Sequence, residues 1–271
     1  MNNKVRFPFR FFFITFSWSW LIWTPLILFN LKIIPFPEKL LSTLTTPVVM
    51  IGVFGPLMGA VSCLRKEKGR GFIKQYLRNF LDFRLGWKAY CIPIFVLGGT
   101  SFIAWFIPEL FGAERLPMLL PSIWLFLPYL PFMILLGGGQ EEFGWRGYAL
   151  PILENKLGIW TANLILGFIW SCWHLPLWFI TGISQPYMNF GGFILLMTGY
   201  SFLLSWIRAI SGDKPFAYLF AHGAANAFIP FMPTIIMQRN VPQTRFWIWV
   251  ILTFIIGVVI MAFRSNKISK E

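Results

Sequence analysis

Residues 137–148 read GGGQEEFGWRGY and directly follow the apolar run FLPYLPFMILL at 126–136. The apolar run suits the interior of a membrane, yet two adjacent carboxylates and an arginine come soon after it. Charged side chains at membrane depth are costly, and where they occur they usually face the interior of a helix bundle and mark its function. The stretch therefore predicts membrane-spanning helices with a polar site between them.

The composition of the whole chain agrees with a membrane location. Of the 271 residues, 57% are hydrophobic and 12% are charged, whereas a soluble domain carries about a quarter charged residues. Continuous apolar runs of this length indicate helices. We therefore predict an all-α polytopic membrane protein, one transmembrane domain over residues 1–271, with about eight helices around a polar cavity. The predicted spans are 11–31, 46–64, 89–111, 122–143, 159–180, 190–210, 215–236 and 245–263.

The distribution of positive charge predicts the orientation of the chain. The net charge of +13 does not indicate nucleic-acid binding, because the basic residues lie between apolar segments and not on a soluble module. With the N-terminus in the cytoplasm, most of the 23 Lys and Arg residues fall on the cytoplasmic side, including those in the loops 65–88 and 144–158. We expect a multi-pass protein of the cell membrane with both termini in the cytoplasm. The loop 65–88 is predicted to be an amphipathic helix on the anionic inner leaflet, or alternatively a surface for a partner or substrate.

Two adjacent glutamates stand at the end of the predicted fourth span. On a helix the side chains of Glu141 and Glu142 point about 100° apart, so they must have different roles. Arg146 lies four residues after Glu142 and can pair with it on one helix face, which leaves Glu141 free to face elsewhere. The alternative is that all three are interfacial charges at a helix end.

Both histidines of the chain fall inside predicted spans. His174 lies in FIWSCWHLPLW (168–178) and is either a packed, hydrogen-bonded residue or a catalytic group. His222 and Asn226 are four residues apart and share a helix face, either as a site or as interhelical hydrogen-bonding groups. A carboxylate, two imidazoles and an amide are the groups that a water-activating hydrolase needs, since a glutamate can take a proton from water, while imidazole and amide groups orient the water and stabilise an oxyanion.

The order and spacing of these residues resemble the motifs of the CAAX-protease and bacteriocin-processing family of intramembrane proteases, which includes the type II CAAX prenyl endopeptidases. Three motifs match over residues 141–226: two glutamates and an arginine (Glu141, Glu142, Arg146), an aromatic residue and a histidine (Trp170, His174), and a histidine and an asparagine (His222, Asn226). Trp170 stands where the family more often has phenylalanine, and we expect it to form a wall of the pocket.

The resemblance implies an intramembrane endopeptidase that hydrolyses a peptide bond with an activated water, in peptide or protein processing or in bacteriocin immunity. It implies the following roles: Glu141 as general base, His174 as its partner at the water, His222 and Asn226 as oxyanion stabilisers, and Glu142, Arg146 and Trp170 in support. No cofactor is expected; a zinc-dependent variant would use Glu141, His174 and His222 as ligands. The expected partners are membrane lipids and a peptide or protein substrate, free or membrane-anchored, and no nucleic acid.

Two other functions stay open at this point. One is a non-catalytic immunity or scaffold protein that binds a peptide in the same cavity, and the other is a proton-coupled transporter with the glutamate and histidines as a relay. The depth of His174 in the membrane constrains each of these functions. His174 lies roughly 22 Å along its predicted span, whereas Glu141 lies near the end of its own span. We expect the polar segment ENKLGIW (154–160) to protrude and so bring His174 level with Glu141.

Overall fold

A computed structural model describes residues 6–268 of the chain, with side chains described for residues 6–264. All regular structure within these residues is helical, which confirms the predicted all-α fold. The α-helices are α1 (Phe9–Asn30), α2 (Glu38–Gly52), α3 (Gly55–Lys68), α4 (Arg70–Asn79), α5 (Trp87–Pro93), α6 (Gly99–Phe106), α7 (Phe126–Leu135), α8 (Glu142–Gly144), α9 (Leu150–Trp173), α10 (Phe190–Ile210), α11 (Pro215–Phe228) and α12 (Thr244–Ile268). Short 3₁₀ helices (Ile107–Phe111, Ile123–Leu125, Gly139–Glu141, Leu175–Phe179, Gln185–Tyr187) and π-helical turns (Ile94–Gly98, Trp145–Ala149) lie between them.

Several of these helices are suited to cross a membrane. Within the described residues, six stretches are long and apolar enough: Phe9–Asn30, Glu38–Lys68, Trp87–Phe111, Ile123–Phe179, Phe190–Ile210 and Thr244–Arg264. The chain is thus a multi-pass membrane protein.

The predicted count of eight spans is not confirmed, for two reasons. The predicted spans 122–143 and 159–180 both fall in the one stretch Ile123–Phe179. The span predicted at 215–236 corresponds to α11, whose 14 residues are fewer than the roughly 20 that cross a bilayer. The single domain and the cytoplasmic termini stay predictions, and Lys4 and Lys270, which contributed to the orientation, lie outside the described residues.

The stretch that carries the glutamates is divided by a sharp break. Gly158 has φ 77° and ψ 164° inside α9, a conformation that glycine adopts without the penalty of a Cβ atom. Helical structure extends from residue 142 to 157 before the break and from 159 to 173 after it. At 1.5 Å per residue, the two arms have nearly equal lengths of roughly 22–24 Å.

Contacts show that the two arms fold back along each other. Glu154, before the break, accepts a hydrogen bond from Ser205 of α10 at 3.1 Å, and Asn163, after the break, donates one to the same hydroxyl at 3.2 Å. At the far ends, the indole of Trp170 reaches the carboxylate of Glu141 at 2.8 Å. The reversal therefore brings the end of the second arm to the level of the start of the first. The segment 154–160, expected to protrude as the start of a span, contains this break.

A cluster of buried tryptophans fixes the second arm against the first two helices. The ring of Trp173 lies 5.7 Å from that of Trp145 and 5.2 Å from that of Trp23, measured between ring centres. Its indole donates to the hydroxyl of Ser19 at 2.8 Å, and that hydroxyl donates to the carbonyl of Gly52 at 2.7 Å. Because its donors and acceptors are paired, this cluster can be buried at low cost.

The loop 65–88 contains the short helix α4, and its environment differs from the prediction. Tyr76 and Phe80 are buried inside the protein and are not presented to lipid. The Tyr76 hydroxyl donates to the carbonyl of Phe143, and the rings of Phe80 and Phe143 stack with centres 4.0 Å apart. The predicted amphipathic helix on the inner leaflet is therefore corrected for Tyr76 and Phe80, because these two residues pack against the segment of the glutamates.

Candidate active site

A cavity of about 320 Å³ lies among α7, α9, α10, α11 and α12. The four residues predicted to be catalytic all line it, together with the aromatic residue of the second motif: Glu141, Trp170, His174, His222 and Asn226. They come from three separated parts of the chain, the start of the first arm, the end of the second arm, and α11. The structure thus brings the predicted residues together and resolves the depth of His174.

Glu141 is buried and held by two tryptophans. Its Oε2 atom accepts hydrogen bonds from the indoles of Trp170 at 2.8 Å and Trp145 at 3.1 Å. Both bonds reach the same oxygen, which leaves Oε1 as the oxygen available to the cavity. Trp145 was missed in the sequence, although its spacing of four residues from Glu141 is the same signal that predicted the pair of Glu142 and Arg146.

Trp170 has a second role beyond the pocket wall predicted for it. A phenylalanine at this position would supply a similar aromatic surface, but it has no N–H group to donate to Glu141. The tryptophan ring also faces the guanidinium of Arg146 at 4.4 Å from its centre, a distance at which cation–π attraction is significant. Tryptophan at this position therefore makes contacts with Glu141 and Arg146 that a phenylalanine could not both make.

Glu142 lies at the centre of a buried ion pair. Its Oε1 accepts from Arg146 at 2.9 Å, and neither side chain is exposed, so the predicted pairing is confirmed. The same oxygen accepts from Nδ1 of His222 at 2.8 Å. The prediction that places Arg146 among the cytoplasmic loop cations at 144–158 is wrong for this residue. The segment is helical and the guanidinium is buried.

The hydrogen bonds of the two histidines fix which ring nitrogen carries the proton. Nδ1 of His222 faces a carboxylate oxygen of Glu142, and Nδ1 of His174 lies 2.8 Å from the carbonyl oxygen of Trp170. The carbonyl of Trp170 can only accept a hydrogen bond, and so can the ionised carboxylate of Glu142. Each Nδ1 therefore carries the proton and donates it. In the neutral rings, both Nε2 atoms are left as acceptors.

The glycines before the glutamates allow the backbone to pack closely against His222 and Asn226 of the third motif. Asn226 donates through Nδ2 to the carbonyl of Gly137 at 2.7 Å. Gly138 has φ 130°, and a Cβ atom there would lie 2.3 Å from Nδ2 of Asn226 and 3.0 Å from Nε2 of His222. The side chain of Gln140 accepts from the Gly138 amide at 2.9 Å and holds the turn. Only glycine fits this position, and the second N–H of the Asn226 amide remains for a ligand.

The residues as placed do not form a zinc site. In the part of the chain that the structure describes, no three His, Cys, Asp or Glu side chains are grouped closely enough to hold one metal ion. Glu141, His174 and His222 share the cavity, but Oε2 of Glu141 is occupied by the two indoles. The absence of a cofactor stays a prediction.

Comparisons with known proteins agree with the motifs. Residues 121–228 match the family described as type II CAAX prenyl endopeptidase Rce1-like. CAAX prenyl protease 2 of Methanococcus maripaludis is 24% identical over 143 residues, which are 51% of this chain and 52% of the relative. Over this segment the chain is similar to the type II CAAX prenyl endopeptidases. The chain spans about half the length of the curated relative it matches.

The matched segment contains all five residues of the polar site: Glu141, Trp170, His174, His222 and Asn226. It includes both arms around Gly158 and extends to the end of α11. Helix α10 inside this segment and helix α12 outside it complete the cavity with apolar and aromatic side chains: Phe193, Leu196, Met197, Tyr200 and Trp249. The part of the cavity that α10 and α12 form is therefore largely apolar, which suits an apolar group of a ligand.

Proposed function

We propose that this chain is an intramembrane endopeptidase in which Glu141 activates the attacking water. The observation that carries the proposal is that Glu141, His174, His222 and Asn226, from three parts of the chain, line one cavity. A carboxylate with one oxygen restrained by indoles and one available to the cavity is suited to a general base. The likeness to a protein described as CAAX prenyl protease 2 supports a peptide or protein substrate.

The first step is attack by water on the scissile carbonyl carbon. The water donates one hydrogen bond to Oε1 of Glu141 and the other to Nε2 of His174, which orients a lone pair towards the carbonyl. As the C–O bond forms, the proton moves to Glu141 and the carbonyl oxygen becomes an oxyanion. The glutamate thus gains the proton that the leaving amine later needs.

The oxyanion is stabilised from the side of α11. Asn226 has one amide N–H beyond the bond to Gly137. When its ring carries a second proton, His222 donates through Nε2 to the oxyanion, while its Nδ1 donates to the carboxylate of Glu142 at 2.8 Å. Preorganised donors of this kind are a large source of catalytic stabilisation.

Collapse of the tetrahedral intermediate completes the reaction. The C–N bond breaks, the carbonyl is restored as a carboxylic acid, and Glu141 returns its proton to the nitrogen of the leaving amine. The base is thereby regenerated. We propose that these steps need no metal ion, and the two indole bonds to Glu141 support this, because they occupy one of the two oxygens that would otherwise coordinate a metal.

The test uses the variant Glu141→Gln. Glutamine keeps an oxygen that accepts both indole N–H groups but cannot take a proton from water. The matched control is Glu114→Gln, since Glu114 is exposed and remote from the cavity. Membranes that contain wild-type protein or each variant are compared by proteomics, and the peptide that accumulates uncleaved with Glu141→Gln is then tested with purified protein.

The expected result is cleavage by the wild type and the control, and none by Glu141→Gln at equal expression. Cleavage by Glu141→Gln at the wild-type rate would refute the role of this carboxylate. Biological activity that survives in Glu141→Gln would favour a peptide-binding scaffold, and substrate-dependent proton flux in vesicles would favour a transporter.

A further inference from the structure

The helix α4 carries two different faces. Arg70, Lys74 and Arg78 are spaced four residues apart and are all exposed. Phe72, Tyr76 and Phe80 have the same spacing, shifted by two residues, which is about 200° around a helix. The cations and the aromatic rings therefore lie on opposite faces of one short helix.

The cationic face continues into the end of α3. Arg65, Lys66 and Lys68 are also exposed, and none of these six cations forms an ion pair within the part of the chain that the structure describes. Glu67, the acid among them, accepts a hydrogen bond from Tyr148 at 2.6 Å, so its carboxylate is engaged with the protein. The result is a positive surface without ion-pair partners in the described residues, in which Lys68 also lies over the ring of Phe72 at 4.4 Å from its centre.

This surface lies where a membrane-spanning stretch ends. The stretch Glu38–Lys68 is long and apolar enough to cross the membrane, and the cations begin at its last residues. A cationic segment at the edge of a span is at the depth of the phospholipid headgroups, where anionic lipids attract Lys and Arg. Charge and position together favour a lipid headgroup over a soluble partner.

The aromatic face of α4 is tied to the active-site segment. The Tyr76 hydroxyl donates to the carbonyl of Phe143, the residue after Glu142, and Phe80 stacks on the Phe143 ring at 4.0 Å. The packing has no free space, since a Cβ atom at Gly147 would lie 2.5 Å from Phe80 and 2.6 Å from the Tyr76 hydroxyl. Displacement of α4 would therefore move the start of the first arm.

We propose that the cationic face of residues 65–78 binds anionic phospholipid headgroups, and that this binding holds α4 on Phe143 and so supports the position of the two glutamates. The effect on proteolysis rests on the function proposed above, whereas the binding itself does not. The partner is the anionic leaflet of the membrane, recognised by its negative headgroups.

Binding is measured without any substrate. Purified full-length protein in neutral detergent is titrated with dioctanoyl phosphatidylglycerol and, separately, with dioctanoyl phosphatidylcholine. The test variant is Arg70→Gln/Lys74→Gln/Arg78→Gln. The matched control is Lys32→Gln/Lys39→Gln/Arg239→Gln, which removes three exposed cations elsewhere in the chain and leaves the same net charge.

We expect the wild type and the control to bind phosphatidylglycerol but not phosphatidylcholine. The α4 variant should bind phosphatidylglycerol at least about tenfold more weakly, because the attraction of an anionic surface adds over the charges removed, and added salt should weaken the wild-type binding. Equal binding by the α4 variant and the control would overturn the proposal. A wild type that binds an acidic peptide but not phosphatidylglycerol would also overturn it.

Coupling to the active site is measured in nanodiscs of phosphatidylcholine with or without phosphatidylglycerol. The wild type and the control should cleave faster with phosphatidylglycerol, whereas the α4 variant should not respond. The variant Tyr76→Phe/Phe80→Ala should bind the lipid as the wild type does but lose the stimulation. Stimulation that persists in both variants would overturn the coupling. If the wild type cleaved nothing, the proposed function would be refuted. The binding titration would then decide by itself whether the cationic face binds anionic lipid.

Discussion

The buried pair of Glu142 and Arg146 gives a prediction about stability. In Glu142→Gln the guanidinium of Arg146 keeps its charge but loses the carboxylate with which it forms an ion pair. Arg146 is fully buried, and its Nε and second terminal nitrogen already lack hydrogen-bond partners within the described residues. The remaining favourable contact is the face of Trp170 at 4.4 Å, which contributes about 2 kcal/mol at most.

The magnitude follows from the cost of a stranded charge. Removal of one partner from a buried ion pair typically costs about 3–5 kcal/mol, because the other charge is left uncompensated in a medium of low dielectric constant. We therefore expect Glu142→Gln to lower the free energy of unfolding by about 3–5 kcal/mol. The double variant Glu142→Gln/Arg146→Met removes both charges and should recover most of this loss, since apolar replacement of a whole buried pair is often neutral.

The assay is reversible unfolding in mixed micelles, followed through the loss of helix signal as denaturing detergent is added. The control is Asp82→Asn, which breaks the ion pair with Arg84 at the surface. That arginine is 92% exposed, and such pairs contribute little to stability. A Glu142→Gln variant within about 1 kcal/mol of the wild type, or a double variant as unstable as the single one, would refute the argument from buried charge.

Three further predictions concern the reaction. Trp170→Phe should lower kcat about tenfold or more with little change in KM, because a hydrogen bond to a charged group contributes about 1.5–3 kcal/mol; an unchanged kcat would mean that the indole does not position Glu141. Gly138→Ala should lower kcat about tenfold to a hundredfold through backbone strain and contact with His222, whereas Gly182→Ala, also at positive φ but in open space, should retain wild-type cleavage. Dialysis of the purified protein against a chelator should leave the rate unchanged, and activity that is lost and then restored by zinc would contradict the metal-free mechanism.

The class of fold and the membership of the cavity could be predicted from the sequence for physical reasons. Long apolar runs permit few structures in lipid, and the cost of polar groups there forces them to meet inside the bundle. The two histidines and Glu141 could therefore be assigned to one site before their contacts were known. The pair of Glu142 and Arg146 followed from helix geometry alone.

The remaining features depend on contacts that no local pattern encodes. A glycine in a helical sequence does not reveal that the chain reverses there, so the arms around Gly158 were missed and Arg146 was assigned to a loop. An aromatic residue that lines a pocket does not reveal its hydrogen-bond partner, so the donor role of Trp170 was also missed. The burial of Tyr76 against Phe143 depends on tertiary packing, whereas the amphipathic pattern of α4 indicates only that one face avoids water.

The reversal at Gly158 makes the lengths of its two arms interdependent. One residue inserted into the second arm would move His174 about 1.5 Å along the helix and rotate it by about 100°, away from a fixed Glu141. An insertion of about one turn in each arm would restore both the level and the facing direction of the two side chains. The site therefore constrains the difference between two helix lengths more strongly than either length, and insertions near the break should be tolerated as pairs.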